Sequence, residues 1–346
     1  MMQHSDRKAR VRSLGVALAL AAATAGCGGG EDTAAAPASG GEQGQQTEAV
    51  TVGLVVDKTF EHGVIPKITK EVGCFEEEAL DVEIVAFQGG ADLVKGILSD
   101  AVDIGAATGF DPPAAAAKGV PMKAFYGVTE RSPFVAIAAP GSGIDTVEDL
   151  VGKKVGITRF GSATDYVVRV LADDVGSPGG ITAVPLGGNP ADQLAALKRG
   201  DIQAFIWSTE VGFSLEESGD GKIIESFADV VEEDQYAVLM ARPDYLQEQS
   251  ATVERFVQAY ECGLSWMQDE ANREEGVRLT AQFLEVEESV AEATYEELVD
   301  GLTPRGEFNT AGLEQIASVL PDLELADRVP ELDEFVTDEF VPVDGS

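Results

Sequence analysis

Residues 152–174 read GKKVGITRFGSATDYVVRVLADD. Val155 and Ile157 lie in a short β-prone run after Gly152, and Gly161 breaks it. Ser162, Ala163, Thr164 and Asp165 then open a helix whose apolar face is Val167, Val168, Val170 and Leu171. A helix N-terminus carries unpaired backbone N–H groups and partial positive charge, which suits an anionic or acceptor-rich ligand. Small hydroxyl residues there either cap the helix or bond such a ligand. The stretch alone leaves both roles open.

Working outward, strands alternate with helices. On the N-terminal side the strands are VTVGLVV (50–56), VEIVAF (82–87), VDIGAA (102–107), PMKAFYGV (121–128) and FVAIAA (134–139). Between them fall a loop over 57–63, a helix over 64–79 and a helix over 91–98 after Gly89-Gly90. Thr108-Gly109-Phe110-Asp111 leads into a helix begun by Pro112 and Pro113. The pattern then restarts with a short helix at 146–152, the quoted unit, strand 181–186, helix 190–199, strand 204–207, helix 210–217 and strands 222–227 and 236–241. Such alternation predicts an α/β fold with parallel sheets and helices on both faces. Two units look alike: a Gly-Gly turn, a helix, then Asp103-Ile104 in one and Asp201-Ile202 in the other. That repetition suggests two lobes of one design. From 243 onward, apolar residues recur at helical spacing up to Leu313, Ile316 and Leu320, and an acidic tail over 331–346 is left unassigned.

The N-terminus reads as a processing signal rather than part of the fold. Arg7, Lys8, Arg10 and Arg12 precede the apolar run LGVALALAAA (14–23), which is too short for a permanent membrane span. Ala25-Gly26-Cys27 follows and resembles a lipoprotein processing site. We therefore expect a signal peptide over 1–26, lipidation at Cys27 and a flexible tether over 27–48, rich in Gly, Ala, Ser, Gln and acid. The formal charge of −37 argues against nucleic-acid binding, which needs a basic footprint. Cys74 and Cys262 both fall in apolar helical patterns. They could pair in an exported chain, but buried free thiols are the favoured expectation.

Several ordered segments resemble the solute-binding proteins of ABC importers, in particular the nitrate/sulfonate/taurine and thiamine-precursor group. They are Gly63…Pro66 with Glu71-Val72-Gly73-Cys74-Phe75…Leu80-Asp81-Val82, Leu98…Val102-Asp103-Ile104-Gly105, Ala117-Lys118-Gly119-Val120-Pro121, Asp149 to Gly156 with Gly161-Ser162, and Leu197…Gly200-Asp201-Ile202-Gln203-Ala204. Cys74, where an aromatic is common, and Asp100-Ala101 depart from the pattern. The resemblance implies a two-lobed periplasmic-binding-protein-like fold of type II with a hinge. Lobe 1 would be 49–138 plus 241–346, and lobe 2 would be 139–240. It also implies a monomer that closes on a small ligand and delivers it to a permease and its ATPase.

Open α/β sheets bind ligands at the carboxyl ends of their strands. The candidate ligand-binding residues are therefore Phe60, His62, Thr108, Phe110, Arg159, Ser162, Ala163, Thr164, Trp207 and Glu210. The aromatics could enclose a ligand or simply pack in the core. Arg159 could partner an anion or sit at the surface. The only histidine outside the leader is His62, so no zinc site is expected, and no cofactor is implied. No catalytic set is visible, and the chain reads as a binder rather than an enzyme. Ser162 and Arg159 favour a nitrate-, sulfonate- or taurine-type anion. Glu210, Asp111 and the aromatics favour a heteroaromatic such as a thiamine-precursor pyrimidine. A pyrimidine synthase-like enzyme of the same fold, or a lipoprotein sensor, are the remaining readings.

Overall fold

In strand β1 (Glu48–Leu54), Val50, Val52 and Leu54 point to one core, while Gly53 faces Leu93 and Val102 on the other side. Both faces are covered, which is why the sequence shows a continuous apolar run rather than alternation. The computed structural model describes residues 46–341, apart from Glu232 and Glu324. The leader, Cys27, the tether up to residue 45 and the last five residues lie outside the described residues.

Two five-stranded sheets carry the fold. The first contains β1, β2 (Leu80–Ala86), β3 (Ile104–Thr108), β4 (Lys123–Thr129) and β10 (Ala237–Ala241), in the order β2-β1-β3-β10-β4. The second contains β5 (Phe134–Ala138), β6 (Lys154–Ile157), β7 (Thr182–Pro185), β8 (Ala204–Ser208) and β9 (Lys222–Ser226), in the order β7-β6-β8-β5-β9. The two orders are the same pattern, and the expected α/β class holds. The sheets are not wholly parallel, however. Strands β5 and β10 run antiparallel to both neighbours. Each is the first strand the chain makes after crossing from one sheet to the other, so it enters from the opposite end.

The internal repeat is present, but two residues away from the register that the Asp-Ile match suggests. Thr51 pairs in sequence role with Lys154, since each donates its backbone N–H to a side chain at the mouth of the third strand. The acceptors are Asp103 (2.7 Å) and Gln203 (3.1 Å). Asp103 and Gln203 are thus equivalent, and so are the helices Gly90–Leu98 and Pro190–Arg199. Gly53 and Gly156 are equivalent too: a Cβ on Gly156 would come 2.1 Å from Gln193 Oε1, as one on Gly53 would come 2.5 Å from Leu93 Cδ1. Helix–strand spacing is set by packing depth, and the Asp-Ile dipeptide match did not report it.

Three local expectations change. The loop over 57–63 contains a wide helical turn, Phe60–Val64, in which Val64 N–H donates to Thr59 O (3.0 Å), and all five of its residues are buried. The helix over 64–79 is two pieces, Ile65–Glu71 and Cys74–Glu77, split at Gly73 with φ +87°. The helix over 146–152 shrinks to the single turn Glu148–Leu150. The acidic tail is partly structured, with a short capped helix Leu332–Phe335 and Val336 bridged to Ala124.

Cys74 and Cys262 are not free thiols. They form a disulfide with Cα atoms 5.9 Å apart, joining the short helix Cys74–Glu77 to the long helix Ser250–Gln268. Their apolar helical setting favours buried free thiols, yet the same helix–helix contact brings them within bonding distance. The C-terminal helices also touch both sheets' cores. Leu264 and Tyr295 join the first, whereas Ile316, Leu320 and Leu323 join the second.

Candidate functional site

The carboxyl ends of β1, β3, β6 and β8 and the starts of β5 and β10 supply the residues between the two sheets. A narrow cavity of about 20 Å³ lies there. It is lined from the first sheet by Thr108 and Phe110, from the second by Ala163 and Tyr166, and from the two crossovers by Phe134 and Tyr236. The crossovers are tied together by Gln235, fully buried, whose Nε2 donates to Thr129 O (3.1 Å) and Ala237 O (3.0 Å) while its Oε1 accepts from Asn309 N (2.8 Å). Gly109 N–H donates to Tyr236 O (2.8 Å), which fixes the β3 loop to the second crossover.

On the second-sheet side three hydroxyls converge. Thr158 Oγ1 donates to Ser162 Oγ (2.9 Å), and Ser162 Oγ and Thr164 Oγ1 lie 2.9 Å apart. Thr158 N–H donates to Thr164 Oγ1 (3.0 Å), and Gly161 N–H donates to Asp165 Oδ2 (2.9 Å). Ser162 stands at the N-cap of helix Ala163–Asp174 without making a side-chain cap bond. Its hydroxyl is turned into this cluster instead of closing the helix end. Arg159 reaches across to the first-sheet side, where its Nη2 would lie 3.8 Å from a Cβ on Gly89. Its charge acts on Asp111, which holds the β3 loop by accepting from Thr108 N–H (2.9 Å) and Thr108 Oγ1 (2.8 Å).

Deeper, the turn Phe60–Val64 places Glu61 and His62 in the interior, 2% and 1% exposed. The His62 ring lies 5.2 Å from the Tyr236 ring, and Phe134 packs edge-on to Tyr236 at 5.4 Å. Glu210, 2% exposed, accepts from Ser208 Oγ (2.6 Å) through Oε1. Its Oε2, both Glu61 carboxylate oxygens and His62 Nε2 have no hydrogen-bond partner. Burial, then the charge of Glu210, pushes the Glu61 carboxyl well above the usual range. Burial pushes Glu210 up to about 7 against the pull of the Ser208 hydroxyl, and pushes Asp234 up to about 7 as well. Burial lowers His62 to about 4.

These ionisation states make the ligand-free protein less stable as pH rises. Glu61, Glu210 and Asp234 keep their protons when folded, up to about pH 7 for the last two, whereas an unfolded chain releases them near pH ~4. The folded state therefore binds more protons across that window, and stability falls with rising pH. His62 opposes this, because it stays neutral when folded and its contribution is lost as pH falls from 6.5 towards about 4. Three carboxyls outweigh one imidazole. We expect a higher melting temperature near pH ~5 than near pH ~8; an equal or higher one at the alkaline end would contradict these states.

Of the residues singled out in the sequence, Thr108, Phe110 and Ala163 line the cavity, and Ser162, Thr164 and Arg159 flank it. His62 and Glu210 do not line it; the His62 ring packs against Tyr236, and Glu210 is near enough to act on the Tyr236 hydroxyl. Phe60 does not line the cavity: it is fully buried in the first core, edge-on to Tyr295 at 5.9 Å. Trp207 packs against the core cluster of Val135, Ile137, Leu197 and Phe205 on the helix-covered face of the second sheet. Side chains alternate along a strand, so Ile206 and Ser208, not Trp207, share the other face. Glu61, Phe134, Asp234 and Gln235 were missed. Phe134 opens β5, Asp234 and Gln235 lie just before β10, and Glu61 lies inside a turn that reads as plain loop, with no motif to mark any of them.

Residues 67–273 match the family described as NMT1/THI5 like. The chain belongs to this family. Among curated proteins, the taurine-binding periplasmic protein of Escherichia coli (strain K12) is 29% identical over 182 residues, 52% of this chain and 54% of that protein. The 4-amino-5-hydroxymethyl-2-methylpyrimidine phosphate synthase of Legionella pneumophila is 30% identical over 115 residues, 33% of this chain and 34% of that enzyme. The chain thus covers about half or less of the curated relatives it matches. Among solved structures, the alkanesulfonate-binding protein SsuA from Xanthomonas axonopodis pv. citri, bound to MOPS, has a TM-score of 0.71 at 16% identity, with 85% of this chain and 99% of that one covered. At that identity the likeness establishes the fold, which is that of the periplasmic binding proteins.

Proposed function

We propose that this NMT1/THI5-like protein is the extracytoplasmic solute-binding component of an ABC importer. The observation that carries the reading is the cavity between two like sheets, lined from both sheets and from both crossovers. A ligand there touches every part that must move when two lobes close about a hinge. On this reading 49–138 with 241–346 and 139–240 are the two lobes. The protein is a monomer held at the outer face of the membrane through Cys27, and it hands its solute to a permease with an attached ATPase. The taurine-binding and alkanesulfonate-binding relatives support an oxyanion at the Thr158–Ser162–Thr164 cluster and Arg159. The unpartnered Oε2 of Glu210 and the ring pair Phe134–Tyr236 support a second reading, an amino-bearing heteroaromatic of the thiamine-precursor kind.

A ligand that binds only the native state raises the melting temperature by mass action. A thermal-shift screen of full-length protein with taurine, alkanesulfonates, nitrate and aminopyrimidines should give a concentration-dependent rise with at least one of them. Mass spectrometry should recover that ligand unchanged; recovery of a product would overturn the binder reading in favour of an enzyme. Replacing Ser162 and Thr164 together by Ala should weaken a true ligand roughly tenfold or more, about the loss of one or two hydrogen bonds to a charged group. Unchanged affinity would remove the cluster from the site.

A further inference from the structure

We infer that Glu61 and Glu210 form a receptor for a protonated amine on the ligand, so that the site selects amine-bearing solutes and rejects simple oxyanions. The inference deepens the solute-binding reading and rests on it.

The argument starts from what is left unpaired. Glu61 is 2% exposed, yet neither of its carboxylate oxygens has a partner, and Glu210 Oε2 is in the same position. Buried polar groups are normally hydrogen-bonded, and a buried charge is normally paired. Among the described residues, neither carboxylate forms an ion pair with Lys, Arg or His. The two are near enough to feel each other's charge, and both act on the Tyr236 hydroxyl. Tyr236 lines the cavity, so its ring connects the pair to the ligand space. His62, alongside, presents an unpartnered Nε2.

The built geometry also counts. Glu61 is delivered by a helical turn with i→i+5 bonding, from Thr59 O to Val64 N, a form that is rare and concentrated at functional sites. Gly63 permits that turn, since a Cβ there would come 1.6 Å from Asp57 O. A chain without use for an inward acid at residue 61 could seat an apolar side chain in this dry position at lower cost. What these oxygens lack is a donor-rich positive group, and an ammonium supplies three N–H donors and the missing charge. An inorganic oxyanion such as nitrate supplies neither, and it opposes the loss of a proton from either carboxyl.

Matched ligand pairs test this on the full-length protein by calorimetry. Taurine is compared with 2-hydroxyethanesulfonate, and 5-(aminomethyl)pyrimidine with 5-methylpyrimidine, with nitrate and methylammonium alone as further probes. We expect the amine-bearing member of at least one pair to bind tenfold or more tightly than its partner. Glu61→Gln and Glu210→Gln should each erase most of that preference, by weakening the amine-bearing member more than its partner. Replacing a buried carboxyl that makes no ion pair by its amide should not unfold the protein, and a melting curve for each variant verifies this. Equal binding within both pairs, or a preference that survives both substitutions, overturns the inference but leaves a solute-binding protein intact. Failure of every amine-bearing probe while nitrate or the hydroxysulfonate binds does the same. Failure of all probes overturns the inference and counts against the solute-binding reading with it.

Discussion

Gly109→Ala should cost ~3 kcal/mol or more of stability and most of the ligand affinity. A Cβ at this position would lie 1.8 Å from the Gln235 carbonyl oxygen and 3.0 Å from its carbon. Both are backbone atoms, so no rotamer change relieves the clash. The backbone must separate, and the first loss is the Gly109 N–H bond to Tyr236 O at 2.8 Å. That bond holds the β3 loop, with Thr108 and Phe110, against the crossover that carries Asp234, Gln235 and Tyr236. Separation also disturbs Gln235, whose three bonds join both crossovers to Asn309. Gly188→Ala is the control, because a Cβ there meets nothing within 4 Å. Urea melts should show a large fall in midpoint for the first variant and a change within about 0.5 kcal/mol for the second. Equal melts would mean that the contact between the β3 loop and the crossover is dispensable.

The second large effect concerns the disulfide. Cys74 and Cys262 are 188 residues apart in sequence, so the bond removes a long loop's worth of freedom from the unfolded chain. The chain-entropy estimate for such a loop is roughly 5 kcal/mol, and measured losses for native disulfides run from about 2 to 5 kcal/mol. Replacing both cysteines by alanine should therefore lower the melting temperature by many degrees, and reductant should do the same to the native protein. Free thiol titration of the unfolded, unreduced protein should find neither residue. A full count of both thiols would restore the free-thiol reading. The bond also ties the helix Cys74–Glu77, beside β2, to the helix Ser250–Gln268. The start of the first sheet and the C-terminal region of the chain are thus held as one body.

Much of this was legible in the sequence because strands and helices carry their own periodicity. The strand after Gly152 and the helix after Ser162 fall where the pattern puts them, and the helix 190–199 begins and ends as expected. What failed did so for physical reasons that a linear string hides. Trp207 looked like a cleft residue because it ends a strand, but alternation turns it to the helix-covered face. Phe60 looked like a loop aromatic because the turn that buries it is too short to show a period. Glu61 lies in that same turn, and nothing in its sequence neighbours marks it as buried. The repeat was visible, but its register was misjudged by two residues, because Asp103 is matched by Gln203 in function rather than by Asp201 in type. The disulfide needed the packing of two helices that the sequence places 188 residues apart.

A structure of the full-length protein with its solute bound tests the central claim most directly. The account predicts the solute between the two sheets, touching Thr108 or Phe110 on one side, the Ser162–Thr164 turn on the other, and Tyr236 between them. A solute seated on an outer face of either sheet, leaving those residues untouched, would contradict it.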